Sequence, residues 1–216
     1  MQELADKRNE YNDGRLEKSD LSSTPFAQFE RWMQTALDKV SLEPTAFSLA
    51  TADDQGRPSV RIVLLKGAAN DRFTFFTNYN SHKAQDIASN PQAAMLFFWP
   101  ELQRQIRISG PLAKVPRPES EEYFNSRPYE SRIGAIASNQ SAVLDSRELL
   151  EAKMERLKQR HTEDAKVPLP DHWGGYRITA LEYEFWQGGA ARLHDRWRFR
   201  RTAVNSSDWQ LDRLFP

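Results

Sequence analysis

From Ala46 onward the chain breaks into short runs rich in β-branched and aromatic residues: Ala46–Ala52, Val60–Leu65, Arg72–Thr77, Ala93–Trp99 and Arg104–Ala113. Three more follow at Tyr176–Trp186, Arg192–Arg201 and Trp209–Leu214. Turn signals punctuate them, including Asp53-Asp54-Gln55-Gly56, Gly67 to Asp71 and Asn90-Pro91. Strands joined by tight turns pair antiparallel, whereas a doubly wound sheet needs a crossover helix after nearly every strand. The pattern therefore predicts a mainly β, α+β fold: an antiparallel barrel with flanking helices. Thr24-Pro25 marks a helix start, with Phe26, Phe29, Met33, Ala36, Leu37 and Val40 as its apolar stripe. Further helices are expected at Ser81–Ser89, capped by Ser81, at Pro118–Asn125 and at Ser146–Arg160. Residues 1–22 are polar and read as a mobile arm, leaving 23–216 as a single domain.

Composition narrows the function. Thirty basic and thirty acidic residues cancel, which argues against a nucleic-acid partner. No apolar run approaches the length of a membrane helix, and the start lacks a signal-peptide core, so a cytoplasmic protein is expected. Cysteine is absent, which excludes disulfides and thiol redox chemistry. His82, His161, His172 and His194 are scattered, so no metal site is expected. No Gly-x-Gly-x-x-Gly or Gly-Lys-Ser/Thr occurs, so any phosphate must be captured by Arg and Lys side chains.

Several constellations could do this. In Glu184–Arg196 an aromatic strand meets Gly188-Gly189 and returns with Arg192, His194 and Arg196 at every second position. On a strand those three side chains share a face, and Trp186 with the paired glycines suggests a flat ligand near backbone. Arg61 and Lys66 lie five apart on one predicted strand, facing opposite sides unless a bulge brings them together. Ser81-His82-Lys83 opens a predicted helix, where amides and the helix dipole favour an anion. Tyr123, Arg127 and Ser131 are spaced by four, but Pro128 predicts a helix end with Arg127 and Ser131 in the following turn. Each feature has a plain reading: a solvated strand face, edge-strand charge, simple capping, an exposed helix end, a core tryptophan.

The same residues carry a family resemblance. Arg61-Ile62-Val63-Leu64-Leu65-Lys66, Phe76-Thr77-Asn78 with Ser81-His82-Lys83, Gln103-Arg104-Gln105, Tyr123 to Pro128, Gln140-Ser141, Trp173-Gly174-Gly175 and Glu184–Arg196 resemble, in order, the blocks of the pyridoxine (pyridoxamine) 5′-phosphate oxidases. The resemblance implies an FMN-binding split β-barrel, with FMN at the interface of a homodimer. It implies oxidation of pyridoxine 5′-phosphate or pyridoxamine 5′-phosphate to pyridoxal 5′-phosphate, with dioxygen reduced to hydrogen peroxide. It places Arg61, Ile62, Val63, Leu64, Leu65, Lys66, Phe76, Thr77, His82, Lys83, Gln105, Gln140, Ser141, Trp186 and Arg196 at FMN. Lys66, Tyr123, Arg127 and Ser131 become a substrate-phosphate clamp, and Arg192, Leu193 and His194 lie at the substrate, with Arg192 and His194 catalytic. Arg8, Asn9, Glu10 and Tyr11 match a segment that closes over the site. Two departures stand out: Arg8-Asn9 replaces a pair of arginines, and His82 replaces an arginine. Two other readings are another flavin oxidase of the superfamily, of phenazine-pathway type, and a non-catalytic flavin or pyridoxal-phosphate carrier.

Overall fold

The computed structural model describes residues 10–11, 14–163 and 166–216. The first helix, α1 (Pro25–Lys39), starts where Thr24 Oγ1 accepts from the Ala27 amide at 3.1 Å. It buries Phe29, Trp32, Met33 and Ala36. Leu37, expected on the stripe, is 49% exposed, while Trp32, which the expected stripe omitted, is 2% exposed. Trp32 is three residues beyond Phe29, on the same side of the helix, whereas Leu37 is rotated about 100° from Ala36.

Ten strands follow among the described residues: β1 (Ala46–Ala52), β2 (Pro58–Leu64), β3 (Gly67–Ala69), β4 (Arg72–Asn78), β5 (Gln92–Trp99), β6 (Arg104–Lys114), β7 (Trp173–Thr179), β8 (Glu182–Gln187), β9 (Asp195–Arg200) and β10 (Gln210–Leu214). Every pairing is antiparallel. β2, β1, β5, β6, β7 and β4 follow one another in pairing order, and β2 and β4 approach each other without pairing. That gap is the split in the barrel. β8, β9 and β10 form a meander attached to the first half of β6.

The junction falls in β6. Its residues 104–109 pair with β8 and its residues 112–114 with β7, both along one edge. Gly110 marks the changeover; a Cβ there would lie 2.0 Å from the Thr179 carbonyl oxygen, so only glycine fits so close to backbone. The expected single strand Tyr176–Trp186 is thereby divided into β7 and β8, because β7 crosses to β4 to close the barrel while β8 stays with β6. Phe29, Phe47, Phe73, Phe75, Phe97, Ile106, Tyr183 and Phe185 fill the interior.

Among the described residues four α-helices accompany α1: α2 (His82–Ser89), α3 (Arg117–Ser126), α4 (Tyr129–Ala137) and α5 (Arg147–Arg160). Pro128 does end a helix, but a second one starts directly after it; Arg127 is the C-cap of α3 and Pro128 the N-cap of α4. Ser131 therefore sits on a helix, not in a turn. Proline interrupts helical bonding only toward its own N-terminal side, so it serves as well at a start as at a stop. A second apolar cluster, Phe124, Ile133, Val167, Leu169 and Trp173, fixes this helix pair against β7.

Leu16 lies within the stretch expected as a mobile arm, yet it is buried. Its amide donates to Asp195 and its carbonyl accepts from Trp197 Nε1 at 2.7 Å.

Candidate active site: a cationic cleft and a distant aromatic group

The split between β2 and β4, roofed by α3 and α4, opens a cleft of about 830 Å³. Arg61, Ile62, Val63, Leu64, Lys66, Phe76, Thr77, Lys83, Tyr123, Arg127, Ser131 and Gln140 all line it. Arg61 and Lys66 were expected on opposite faces of one strand unless a bulge brought them together. β2 ends at Leu64, and the chain then turns toward β4, with the Lys66 amide bonded to the Thr74 carbonyl, so both side chains reach the same cleft. Leu65 instead points into the core.

At one end Lys83 is 7% exposed. Its Nζ donates to Gln140 Oε1 at 2.7 Å and to Thr77 Oγ1 and Ser81 Oγ, each at 3.1 Å. All three acceptors are neutral. Burial, and then the nearby Arg61 charge, push the amine down to about 8. Ser81 does not cap α2 with its side chain, as had been expected; its hydroxyl donates back to the Asn78 carbonyl, leaving its lone pairs to Lys83. Beside this group Arg61 donates to Thr51 Oγ1 at 2.6 Å and Ser59 Oγ at 2.5 Å. His82 departs from expectation: its side chain is exposed, does not line the cleft, and turns toward Asp86, with Nε2 3.7 Å from Oδ1. Ser141 touches this turn only through the His82 amide, which donates to Ser141 Oγ.

At the other end, rings form a floor. Tyr123 stacks on Phe76 with centroids 4.0 Å apart, and Trp173 stacks on Phe76 at 5.5 Å. The Arg127 guanidinium lies over Trp173 at 4.9 Å. Its Nη1 is buried without a hydrogen-bond partner, and burial lowers its pKa. A buried charged donor with nothing to bind is costly. An anion would satisfy it.

The third group lies elsewhere. Trp186 is on β8, and β2 and β8 are four strand spacings apart, about 19 Å along the sheet. Trp186 packs on His194 at 4.6 Å, and Tyr11 meets both rings edge-on, at 5.7 and 5.5 Å. Arg192 lies 5.8 Å from the Tyr11 ring centroid. Arg192, His194 and Arg196 do not share a strand face, contrary to the expectation. β9 begins only at Asp195; Ala190–Arg192 form a 3₁₀ turn in which Ala191 and Arg192 have φ of 54° and 64°. The reversal is so tight that a Cβ on Gly189 would lie 2.3 Å from the Leu193 carbonyl oxygen, so only glycine fits there. His194 Nδ1 accepts from the Gly189 amide at 3.1 Å, so the neutral ring carries its proton on Nε2. Burial and then Arg192 hold its pKa below the usual 6.5. Arg196 donates to Glu184 at 2.9 Å and to the Phe215 carbonyl at 2.9 Å. Gln105 stands opposite Trp186 in the register. Tyr11, Leu193 and His194 line a second cavity of about 810 Å³ with the C-terminal residues. Glu10 is exposed, and Arg8 and Asn9 lie outside the described residues.

Sequence reasoning missed Asp86, Thr51 and Ser59, which support Arg61. Asp86 had a legible signal, since it is four residues past His82 on an expected helix. The two hydroxyls had none, because their meeting depends on the β1–β2 register.

Fold and cleft together define a split-barrel protein with two cationic stations in one cleft and an aromatic floor, suited to phosphorylated planar ligands. The chain belongs to the pyridoxamine 5′-phosphate oxidase family. The family model described as pyridoxamine 5′-phosphate oxidase matches residues 33–161, and the pyridoxine 5′-phosphate oxidase C-terminal dimerisation region matches 173–216. Pyridoxine/pyridoxamine 5′-phosphate oxidases of Burkholderia mallei (strain SAVP1) and Burkholderia lata are each 50% identical over 216 residues, all of both chains. Among solved structures, PhzG from Burkholderia lata 383, in complex with tetrahydrophenazine-1-carboxylic acid, has a TM-score of 0.87 at 30% identity, covering 96% of this chain and all of that one. An FMN-binding protein from Nostoc punctiforme shares the fold at 15% identity, with a TM-score of 0.70 over 91% of this chain and all of that one. FMN is the cofactor of the family. The cleft fits its phosphate: Lys83 is a buried cation bound only to neutral oxygens, and Arg61 stands beside it.

Proposed function

We propose that the protein is an FMN-dependent oxidase that converts pyridoxine 5′-phosphate or pyridoxamine 5′-phosphate to pyridoxal 5′-phosphate, with dioxygen reduced to hydrogen peroxide. The observation that carries this reading is the unpartnered, buried Nη1 of Arg127. It lies in the same cleft as Lys66, Tyr123 and Ser131, at a distance in the chain from the Arg61–Lys83 group. Two separate cationic stations match two phosphorylated molecules, a cofactor and a substrate.

Arg61 and Lys83 take the FMN phosphate, with Thr77 and Gln140 orienting the Lys83 amine. When bound, FMN supplies the hydride acceptor and the centre that passes electrons to dioxygen. Lys66, Tyr123, Arg127 and Ser131 take the substrate phosphate, where a bidentate guanidinium contact gives the strongest and most directional bond. Arg192 and His194 belong over the substrate ring and its 4′ carbon. With Nδ1 engaged by Gly189, His194 presents an Nε2–H donor to the 4′ substituent. Because the Trp186–His194 group lies four strands from the cleft in one chain, we place it in the cleft of a second copy. The C-terminal dimerisation region supports a homodimer of this kind. Val60 and Ile62, 68% and 65% exposed on edge strand β2 beside the cleft, are apolar surface that a second copy would cover.

A second reading is an oxidase acting on a phenazine precursor, favoured by the likeness to PhzG. The first reading is preferred because relatives 50% identical over the whole chain bear the pyridoxine/pyridoxamine name, against 30% identity to PhzG. The deciding assay supplies purified, FMN-loaded protein with pyridoxamine 5′-phosphate, pyridoxine 5′-phosphate or a reduced phenazine carboxylate, and follows peroxide. Turnover of the B6 phosphates abolished by Arg127→Ala is the expected result. Turnover of the phenazine alone refutes the reading, and peroxide from none of the three points to a carrier.

A further inference from the structure

Arg61 and Asp86 form a loose ion pair but share no hydrogen bond. Asp86 is 4% exposed, and its Oδ2 accepts from Thr51 Oγ1 and from Ser59 Oγ, both at 2.6 Å. The same two hydroxyls accept from Arg61: Nη1 to Thr51 and Nη2 to Ser59. Guanidinium and carboxylate are left 3.7 Å apart. A carboxylate only accepts, so each hydroxyl must spend its single proton on Asp86 and turn its lone pairs to Arg61. The direction of the relay is fixed by chemistry. Hydrogen bonds from Ser59 and Thr51, with the charges of His82 and Arg61, outweigh burial and hold the Asp86 carboxyl below its usual range. Register supplies the arrangement, since Thr51 pairs with Ser59 and Leu49 with Arg61 across β1 and β2. The Leu49 carbonyl also accepts from Arg61 at 3.2 Å.

We propose that Thr51 and Ser59 are positioning residues: hydroxyl spacers that keep Asp86 from capturing Arg61, so that the guanidinium stays aimed into the cleft and available to a phosphate. The proposal rests on the reading of Arg61 as a holder of the FMN phosphate. Without a spacer, a buried carboxylate that has lost a donor turns to the nearest cation, and the loose 3.7 Å ion pair tightens into a hydrogen-bonded one. The captured arginine is then lost to the ligand. Asp86 itself makes Arg61 rigid when spaced and unavailable when not.

The test measures dissociation constants of FMN and of riboflavin, which lacks the phosphate, on the apoprotein by flavin fluorescence. Their ratio isolates the phosphate contribution from everything else in the fold. Arg61→Ala checks the underlying reading: it should weaken FMN and leave riboflavin unchanged. Thr51→Val and Ser59→Ala should each weaken FMN about ten-fold or more, the value of a hydrogen bond to a charged group, again without touching riboflavin. Thr51→Ser should bind as the parent does. The decisive variant is Thr51→Val with Asp86→Asn, which removes the competitor and should recover most of the lost FMN affinity. An FMN loss in Thr51→Val that Asp86→Asn deepens overturns the spacer role while leaving Arg61 in place. Equal losses for FMN and riboflavin mean that the hydroxyls are merely structural. Unchanged FMN binding in Arg61→Ala overturns the reading of Arg61 and the proposal together.

Discussion

The Lys83 amine gives the sharpest quantitative expectation. Burial holds it near 8 in the free site, whereas an exposed lysine stays charged to about 10.4. A bound phosphate dianion favours the charged amine and raises its pKa, so FMN binding takes up a proton wherever the free site has lost one. FMN affinity must then fall as pH rises through and above 8. At about pH 9, one unit above the free value, about ten of every eleven free sites are neutral, so FMN should bind about ten-fold more weakly than at about pH 7. The phosphate itself is fully ionised across this range, with its second pKa near 6. Apoprotein stability has the opposite sign. The folded pKa lies below the unfolded value of 10.5, so the unfolded chain binds more protons between the two, and this group's contribution to stability rises with pH in that window. The assay is FMN dissociation, followed by fluorescence between about pH 7 and 9, in the parent and in Lys83→Arg, which stays charged throughout. A parent curve as flat as that of Lys83→Arg would mean that Lys83 does not meet the phosphate.

The FMN station and the Arg192–His194 group should separate in mutants: Arg61→Ala and Lys83→Ala lose FMN by about one to two decades, while Arg192→Ala and His194→Ala keep FMN and lose turnover, as read by flavin content beside peroxide rate. Because burial and Arg192 lower the His194 pKa, the neutral donor form should persist below pH 6.5; in kcat/KM profiles, an acid limb that moves downward no further than this and is identical in His194→Asn would refute the assignment. Gly110→Ala forces a Cβ against the Thr179 carbonyl and should cost about 1–3 kcal/mol in urea unfolding. Gly188→Ala places a Cβ 2.7 Å from the Tyr11 ring, so it should displace that ring and raise KM for substrate without loss of FMN.

Much of the architecture was legible because strand punctuation is local. The bounds of β1 agree with the structure at both ends, and Thr24 caps α1 as its sequence implied. The failures fall where tertiary pairing decides. Nothing within Tyr176–Trp186 announces that one half must reach β4 and the other stay on β6. Ala191 and Arg192 adopt left-handed backbone that no alternation rule expects of them, and the face-sharing argument for Arg192, His194 and Arg196 failed there. In the cleft, charged residues could be named from their chemistry, but their grouping could not. Arg61 and Lys66 converge only because the chain turns after Leu64. The support beneath Arg61 comes from β1, β2 and α2, three elements whose meeting no spacing records.

The shared strand β6 also sets a timetable for the newborn chain. Its edge at Arg104–Ser109 is completed only by Glu182–Gln187, residues that leave the ribosome more than seventy positions later. Until then the β5–β6 hairpin presents an unpaired edge flanked by Ile106 and Ile108, the kind of surface on which nascent chains aggregate. Arg104 and Arg107 stand along that edge. In the finished protein they are tied to Gln187 and Glu184 across the seam that β8 closes. Charged side chains along an edge disfavour its pairing with a second copy, so the same two arginines suit the edge both before and after β8 arrives.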